Sequence, residues 1–206
     1  MVYDIAALPH LYGTAAHNVG DTIYKYDPSK PISEAIWDSG GTDLLNFSDF
    51  TLACSINLAP GGYSTIAFTD WTMDDNLGIA YGAVIENAIG GSGIDVVVGN
   101  SADNILYGGA GIGVKDTLTG SSGADTFVCS LSDATTTLET ADIISDFTNG
   151  IDFIGLEDIS YTDLTISNSS GNTKIMDTSS SKILFILSGV DHTLIDNADF
   201  VVTDFI

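Results

Sequence analysis

The run GGSGIDVVV at residues 90–98, GNSADNILY at 99–107, GGAGIGVKDTLT at 108–119 and GSSGADTFV at 120–128 decides how this chain folds. It follows a nonapeptide template, G-G-x-G-x-D-x-U-x, in which U is a large apolar residue. The first unit fills every specified position. The third does so once Gly113-Val114-Lys115 is read as an insertion, and the fourth misses one position. The second keeps only Gly99 and Leu106. A single match would mean little, but contiguous units in phase define a repeat architecture.

The first six positions of the template make a tight turn in which glycine tolerates backbone angles that other residues resist. The carbonyls at the second and fourth positions and the carboxylate at the sixth face one cation. The remaining three positions form a short strand with U pointing inward. Two nonapeptides complete one coil, so turns two units apart face each other. On that geometry Gly91, Gly93 and Asp95 meet Gly109, Gly111 and Asp116, while Asn100, Ala102 and Asn104 meet Ser121, Gly123 and Asp125. Oxygen-only ligand sets of that size suit calcium. The second set offers one carboxylate, because Asn104 is neutral, and the insertion before Asp116 strains the first. Turns without ions are the alternative, but they leave inward carboxylates repelling one another. The expected fold is all-β: a right-handed parallel β-roll of nonapeptide repeats packed with flanking antiparallel strands, and one short N-terminal helix.

Working outward, the 206 residues carry 28 acidic and 5 basic side chains, for a net charge of −23 and a pI near 4.1. Apolar residues make up 44% and mean hydropathy is +0.25, which separates the chain from disordered acidic tails. With five lysines and no arginine no basic face can form, which argues against nucleic-acid and anionic-membrane partners. Glu occurs only at 34, 86, 139 and 157, leaving 24 Asp, a turn former with a short hard-oxygen carboxylate. Cys54 and Cys129 are too few for a disulfide framework; one bridge and two buried thiols both remain open. No apolar stretch is long enough to span a membrane. The N-terminus has neither the basic nor the apolar region of a Sec-type signal peptide.

Residues 4–12 have helical spacing, shortened by Pro9. Strands are expected at Thr22–Tyr26, Asp43–Phe47, Ser55–Leu58 and Ile79–Ile85. Leu164–Ser167, Lys174–Met176 and Ile183–Leu187, separated by SNSSGN and DTSSS, read as a meander. One domain over 1–206 is expected, with a helix and linker at 1–20, N-terminal strands at 21–89, the roll at 90–128, and closing strands with a secretion signal at 129–206.

Residues 85–107, IENAIGGSGIDVVVGNSADNILY, closely resemble the RTX-type C-terminal calcium-binding domain of serralysin-like secreted zinc metalloproteases. The opening MVYDIAALPHLYG resembles the segment after the Met-turn of those enzymes. AIWDSGGTDLLNFSDF resembles the strand-turn that follows it, and ISDFTNGIDFIGL the stretch closing the roll. The resemblance implies a first calcium site at Asn18, Gly20, Thr22, Asp38, Gly40, Gly41 and Asp43, with Asn18 where the family has arginine. A second family site uses a T-x-E pair that falls on Val84 and Glu86, and only Glu86 keeps its ligand. Asp142 and Asp152 are further candidate ligands.

The family's zinc motif, H-E-x-x-H-x-x-G-x-x-H, is absent: the chain has only His10, His17 and His192, in no such spacing. Neither a G-x-S-x-G elbow nor a P-loop lysine occurs, so no catalytic residue is assigned and no zinc is expected. A catalytic half would lie upstream of Met1. The ending NADFVVTDFI resembles the family's uncleaved type I secretion signal, and it also reads as a closing strand. The resemblance therefore implies a secreted, extracellular calcium-binding module. It folds on calcium outside the cell and supports export by type I secretion machinery through its C-terminus, with no catalytic residues of its own. The alternatives are a fragment of a serralysin-like metalloprotease with an upstream catalytic domain, or a calcium-dependent surface or matrix protein.

Overall fold

The computed structural model describes Val2, Tyr3, Ile5, Ala7 and residues 16–205. Most of the helix read over 4–12, with Pro9 and His10, lies outside these residues, as does Ile206. Ahead of the repeats come β1 (Ile23–Lys25), β2 (Glu34–Ile36), β3 (Leu44–Asn46), β4 (Ser55–Asn57), β5 (Tyr63–Ser64), β6 (Leu77–Ile79) and β7 (Asn87–Ile89). The repeats supply β8 (Val96–Val98), β9 (Ile105–Tyr107), β10 (Thr117–Thr119) and β11 (Thr126–Ser130). Then follow β12 (Ile143–Ile144), β13 (Phe153–Glu157), β14 (Leu164–Ser169), β15 (Asn172–Asp177), β16 (Ile183–Leu187) and β17 (Phe200–Val202).

Strands β7 to β13 alternate between two sheets. One is parallel throughout, in the order β1-β3-β7-β9-β11-β13-β17. The other runs parallel through β4-β8-β10-β12-β16 and ends in the antiparallel β15 and β14. Parallel neighbours cannot be joined by a tight hairpin and need a crossover. Here the crossover from β8 to β10 is β9 in the opposite sheet, so each coil is closed by two turns. The result is a parallel β-roll, and its parallel pairing extends well beyond residues 90–128. A small third sheet, β2-β6-β5, adds Ile36, Leu77 and Ile79 to the same core.

Strand register stacks one inward side chain per strand into the core. Leu45, Ala88, Leu106, Phe127 and Ile154 line one sheet; Ile56, Val97, Leu118, Ile144 and Leu187 line the other, and all are fully buried. Phe47, Phe50 and Phe68 close the N-terminal end with edge-on ring contacts at 5.4 and 5.5 Å. The three-residue insertion leaves the strands undisturbed: Thr117 still pairs with Val96, and the extra residues loop outward beside Ile112, which is 76% exposed.

The expected strand Ile79–Ile85 is corrected. β6 ends at Ile79, Ala83 N–H returns to the Ala80 carbonyl at 3.1 Å, and Gly82 takes φ +89°, so this apolar run turns instead of extending. The meander forms as read, with Ser170 and Gly171 at φ +54° and +88° supplying the two-residue turn between β14 and β15. Among the described residues no helix is long and apolar enough to cross a membrane.

Candidate metal centre

Immediately before each short strand of the first sheet the chain places an oxygen-bearing side chain. Strand register stacks Thr22, Asp43, Glu86, Asn104, Asp125 and Asp152 into one column. In the second sheet Cys54, Asp95, Asp116 and Asp142 form another. The rungs are joined by one repeated hydrogen bond, in which a backbone N–H donates to the carboxylate of the next coil. Asp95 N–H donates to Asp116 Oδ1 at 2.7 Å, Asp116 N–H to Asp142 Oδ1 at 2.8 Å, and Cys54 N–H to Asp95 Oδ1 at 2.6 Å. In the first column Thr22 donates to Asp43 Oδ1 at 2.8 Å, Asp43 to Glu86 Oε2 at 2.8 Å, Asn104 to Asp125 Oδ1 at 2.8 Å and Asp125 to Asp152 Oδ1 at 3.0 Å. Asp142 and Asp152 thus continue the columns that the repeats begin.

The turns bring the remaining candidate residues into register. A Cβ on Gly109, at φ +117°, would strike the Gly91 carbonyl oxygen, and one on Gly123, at φ +126°, the Ala102 carbonyl oxygen. Gly41, at φ +140°, abuts Gly20 in the same way. Gly93 lies against Leu52–Ala53, and Gly111 lies over the Ser92 carbonyl. Only Gly109 and Gly123 of the repeat ligand glycines need positive φ; Gly91, Gly93 and Gly111 are required by close packing instead. Gly109→Ala should therefore cost about 3 kcal/mol in urea unfolding. Gly113→Ala, at φ +78° in open space, should cost about 1 kcal/mol. Equal losses at the two positions would contradict the close approach of the turns.

The N-terminal segments converge likewise. His17 and Ser39 exchange hydrogen bonds, Thr22 Oγ1 donates to the Gly20 carbonyl at 2.9 Å, and Gly40 N–H donates to Asp38 Oδ1 at 2.8 Å. Tyr24 bridges the group, accepting from Asn18 Nδ2 at 2.8 Å and donating to Asp38 Oδ2 at 2.6 Å. Asp43 is fully buried; among the described residues its Oδ2 has no hydrogen-bond donor, and the Asp38 carboxyl faces it. Burial, reinforced by Asp38 and Glu86, pushes its carboxyl up to about 6.

The same cause acts along both columns. Burial, then the charges of Asp142 and Asp95, raises Asp116 to about 8. Burial and Asp133 raise Asp142 to about 7, and burial with Asp152 raises Asp125 to about 6. Asp95 and Asp133 are raised by burial too. Stacked carboxylates with raised proton affinity lack a counter-charge.

Several contributors escape the template. Asp146 accepts from Gly120 and Ser121 N–H at 2.9 and 2.8 Å, Asp103 from Ala124 N–H at 2.7 Å, and Asp21 from Thr42 N–H at 2.8 Å. Asp133, buried near the second column, accepts from the Tyr107 hydroxyl. Cys54 and Cys129 are free, buried thiols. Burial pushes Cys54 up to about 11, and Cys129 well above the usual thiol range.

The donor chemistry fits calcium at most rungs. Among the described residues no three His, Cys, Asp or Glu side chains converge as a metal cluster, so an ion held here takes many of its ligands from carbonyls. Oxygen-only donors, an orphaned buried carboxylate oxygen at Asp43 and glycine turns that bring carbonyls together match that requirement. The rung at Asn100 and Asn104 does not fit. Asn104 Nδ2 donates to the Glu86 carbonyl at 2.6 Å, and Asn100 Nδ2 donates to the Leu58 and Ile85 carbonyls at 3.1 and 2.8 Å. The two amides bring N–H donors, and their own oxygens already accept Asn100 and Ala102 N–H, where a cation needs free oxygen acceptors.

Comparison with known proteins gives a consistent picture. Residues 4–202 match the family described as Peptidase M10 serralysin C terminal. Over 115 residues the chain is 39% identical to Serralysin G of Dickeya chrysanthemi, covering 50% of this chain and 23% of that protein. It is 43% identical over 111 residues to Serralysin C of the same organism, covering 48% and 22%. Metalloprotease AprA of Pseudomonas entomophila is 41% identical over 116 residues, covering 50% and 23%. The aligned part is under a quarter of the length of each of these curated relatives.

Proposed function

The chain belongs to the Peptidase M10 serralysin C-terminal family, and from that premise we propose that it is a calcium-binding module that folds when calcium binds outside the cell and supports export by the type I route. The observation that carries this reading is the pair of buried carboxylate columns, with Asp43 Oδ2 left without a donor among the described residues, in a chain with only five lysines. The ligands proposed are the carbonyls and carboxylates of residues 18–22 and 38–43 with Glu86, then Gly91, Gly93 and Asp95 with Gly109, Gly111 and Asp116. Ser121, Gly123 and Asp125 with Asp152, and Asp142 beside Asp116, extend the columns. Zinc has no place in this set.

Calcium, when bound, would supply positive charge and would be held through oxygen donors. The chain's own residues do the rest: glycine turns present carbonyls, and each backbone N–H orients the carboxylate of the next rung. Where calcium is scarce, repulsion along the columns opposes folding. At the near-millimolar calcium outside cells, sites of the extracellular class fill, and binding to the folded form alone draws the equilibrium toward it. An unfolded chain is the form that a narrow export channel accepts, so secretion and folding occur on opposite sides of the membrane. The similarity to serralysins also supports an upstream catalytic domain, for which this segment is the non-catalytic C-terminal portion.

The test is a thermal-unfolding series in EGTA and at rising calcium, followed by circular dichroism. Strand signal and melting temperature should rise together with calcium. A fully folded protein in EGTA whose melting temperature ignores calcium would overturn the reading.

A further inference from the structure

We propose that residues 99–107, tied through Asn100 and Asn104 to the carbonyls of Leu58, Ile85 and Glu86, form an amide clasp that stays ordered without calcium and serves as the nucleus on which the ion-dependent coils assemble; this rests on the reading that calcium closes the other rungs. The first column carries an acid at 43, 86, 125 and 152, but Asn at 104. Asn104 and Asn100 are almost fully buried, at 1% and 6% exposure.

Every polar atom of the two amides is used. Asn104 Oδ1 accepts Asn100 N–H at 2.8 Å, and its Nδ2 donates to the Glu86 carbonyl at 2.6 Å and to Asn100 Oδ1 at 3.2 Å. Asn100 Oδ1 also accepts Ala102 N–H at 2.8 Å, while its Nδ2 spans the Leu58 and Ile85 carbonyls. A third amide, Asn87, continues the pattern: its Oδ1 accepts Ile105 N–H at 2.9 Å and its Nδ2 donates to the Asp43 carbonyl at 3.2 Å.

An aspartate at the same rung can only accept, and it adds charge to the column. An asparagine brings its own donor to the carbonyls of the preceding coil, and it is neutral. The carbonyls of Leu58, Ile85 and Glu86 lie just after β4 and just before β7, in opposite sheets. The clasp therefore ties both sheets together with hydrogen bonds alone. A buried, fully satisfied amide network of this kind holds one geometry strongly. Elsewhere in the columns the corresponding closure falls to carboxylates that repel.

Hydrogen exchange with mass spectrometry on the whole chain, in EGTA at pH 8, tests the clasp. Amides of residues 99–107 should exchange on the order of tenfold more slowly than those of 20–47 and 116–157, and calcium should remove the contrast by slowing the flanks. Asn104→Asp should abolish the protection of 99–107 in EGTA, and calcium should restore it. Asn100→Ser should lower that protection without adding charge. Fast, uniform exchange in EGTA that calcium slows everywhere would overturn the clasp and leave the calcium reading standing. Uniform protection that calcium does not change would overturn both. Undiminished protection in both variants would also overturn the clasp.

Discussion

In EGTA the protein should melt at a higher temperature at pH 5 than at pH 8, by on the order of 10–20 °C for a chain of this length. The usual carboxylate in a folded protein has a lowered proton affinity, and stability falls as acid is added. Here Asp43, Asp116, Asp125 and Asp142 are raised to about 6, 8, 6 and 7. Between the ordinary carboxylate range and about pH 8 the folded chain holds more protons than the unfolded one. Its stability is therefore full at the acid end and is lost as pH rises through those values. A tenfold difference in proton affinity is about 1.4 kcal/mol, so half the displacement at Asp116 and Asp142 alone is on the order of 5 kcal/mol. Saturating calcium keeps these groups ionised in the folded state and should flatten or reverse the profile. Differential scanning fluorimetry at both pH values, with and without calcium, reads the effect. A maximum at pH 8 in EGTA would show that the columns carry no unbalanced charge.

Asp116→Asn should change stability in opposite directions depending on calcium. The residue is 1% exposed and sits between Asp95 and Asp142. Asparagine keeps an oxygen for the Asp95 N–H, so the rung survives, but the charge is gone. In EGTA at pH 8 the variant should be more stable by about 3 kcal/mol, because an uncompensated buried charge has been removed. In millimolar calcium it should be less stable by a similar amount, because a ligand carboxylate has been lost. Urea unfolding under the two conditions measures both, and the same sign in each would sever the link between this column and the ion.

The repeat coils were legible because local sequence alone determines them. Val97, Leu106, Leu118 and Phe127 all fall inward as the U position requires. The coils on either side repeat the geometry with connections of unequal length, which removes the period and hides the roll. One signal survives there and needs no period. An acidic residue directly precedes the short strands beginning at Leu44, Asn87, Ile143 and Phe153, just as it precedes Val96, Thr117 and Thr126. Asp21, Asp103 and Asp146 were not legible in the same way. Their N–H partners lie 21 to 26 residues away, so only the stacked coils bring them together. The turn at Ala80–Ala83 was hidden by its apolar composition, with Gly82 as its single marker.

Strands that alternate between two sheets impose a parity rule on how such a chain can grow or shrink. Deleting one nonapeptide would transfer every downstream strand to the opposite wall, exchanging the column above each acid for the other one. Deleting two would remove a whole coil and leave each survivor on its own wall. Duplications and losses that preserve the fold must therefore come in even numbers of units. The Gly113–Lys115 insertion escapes the rule because it lengthens a turn and adds no strand.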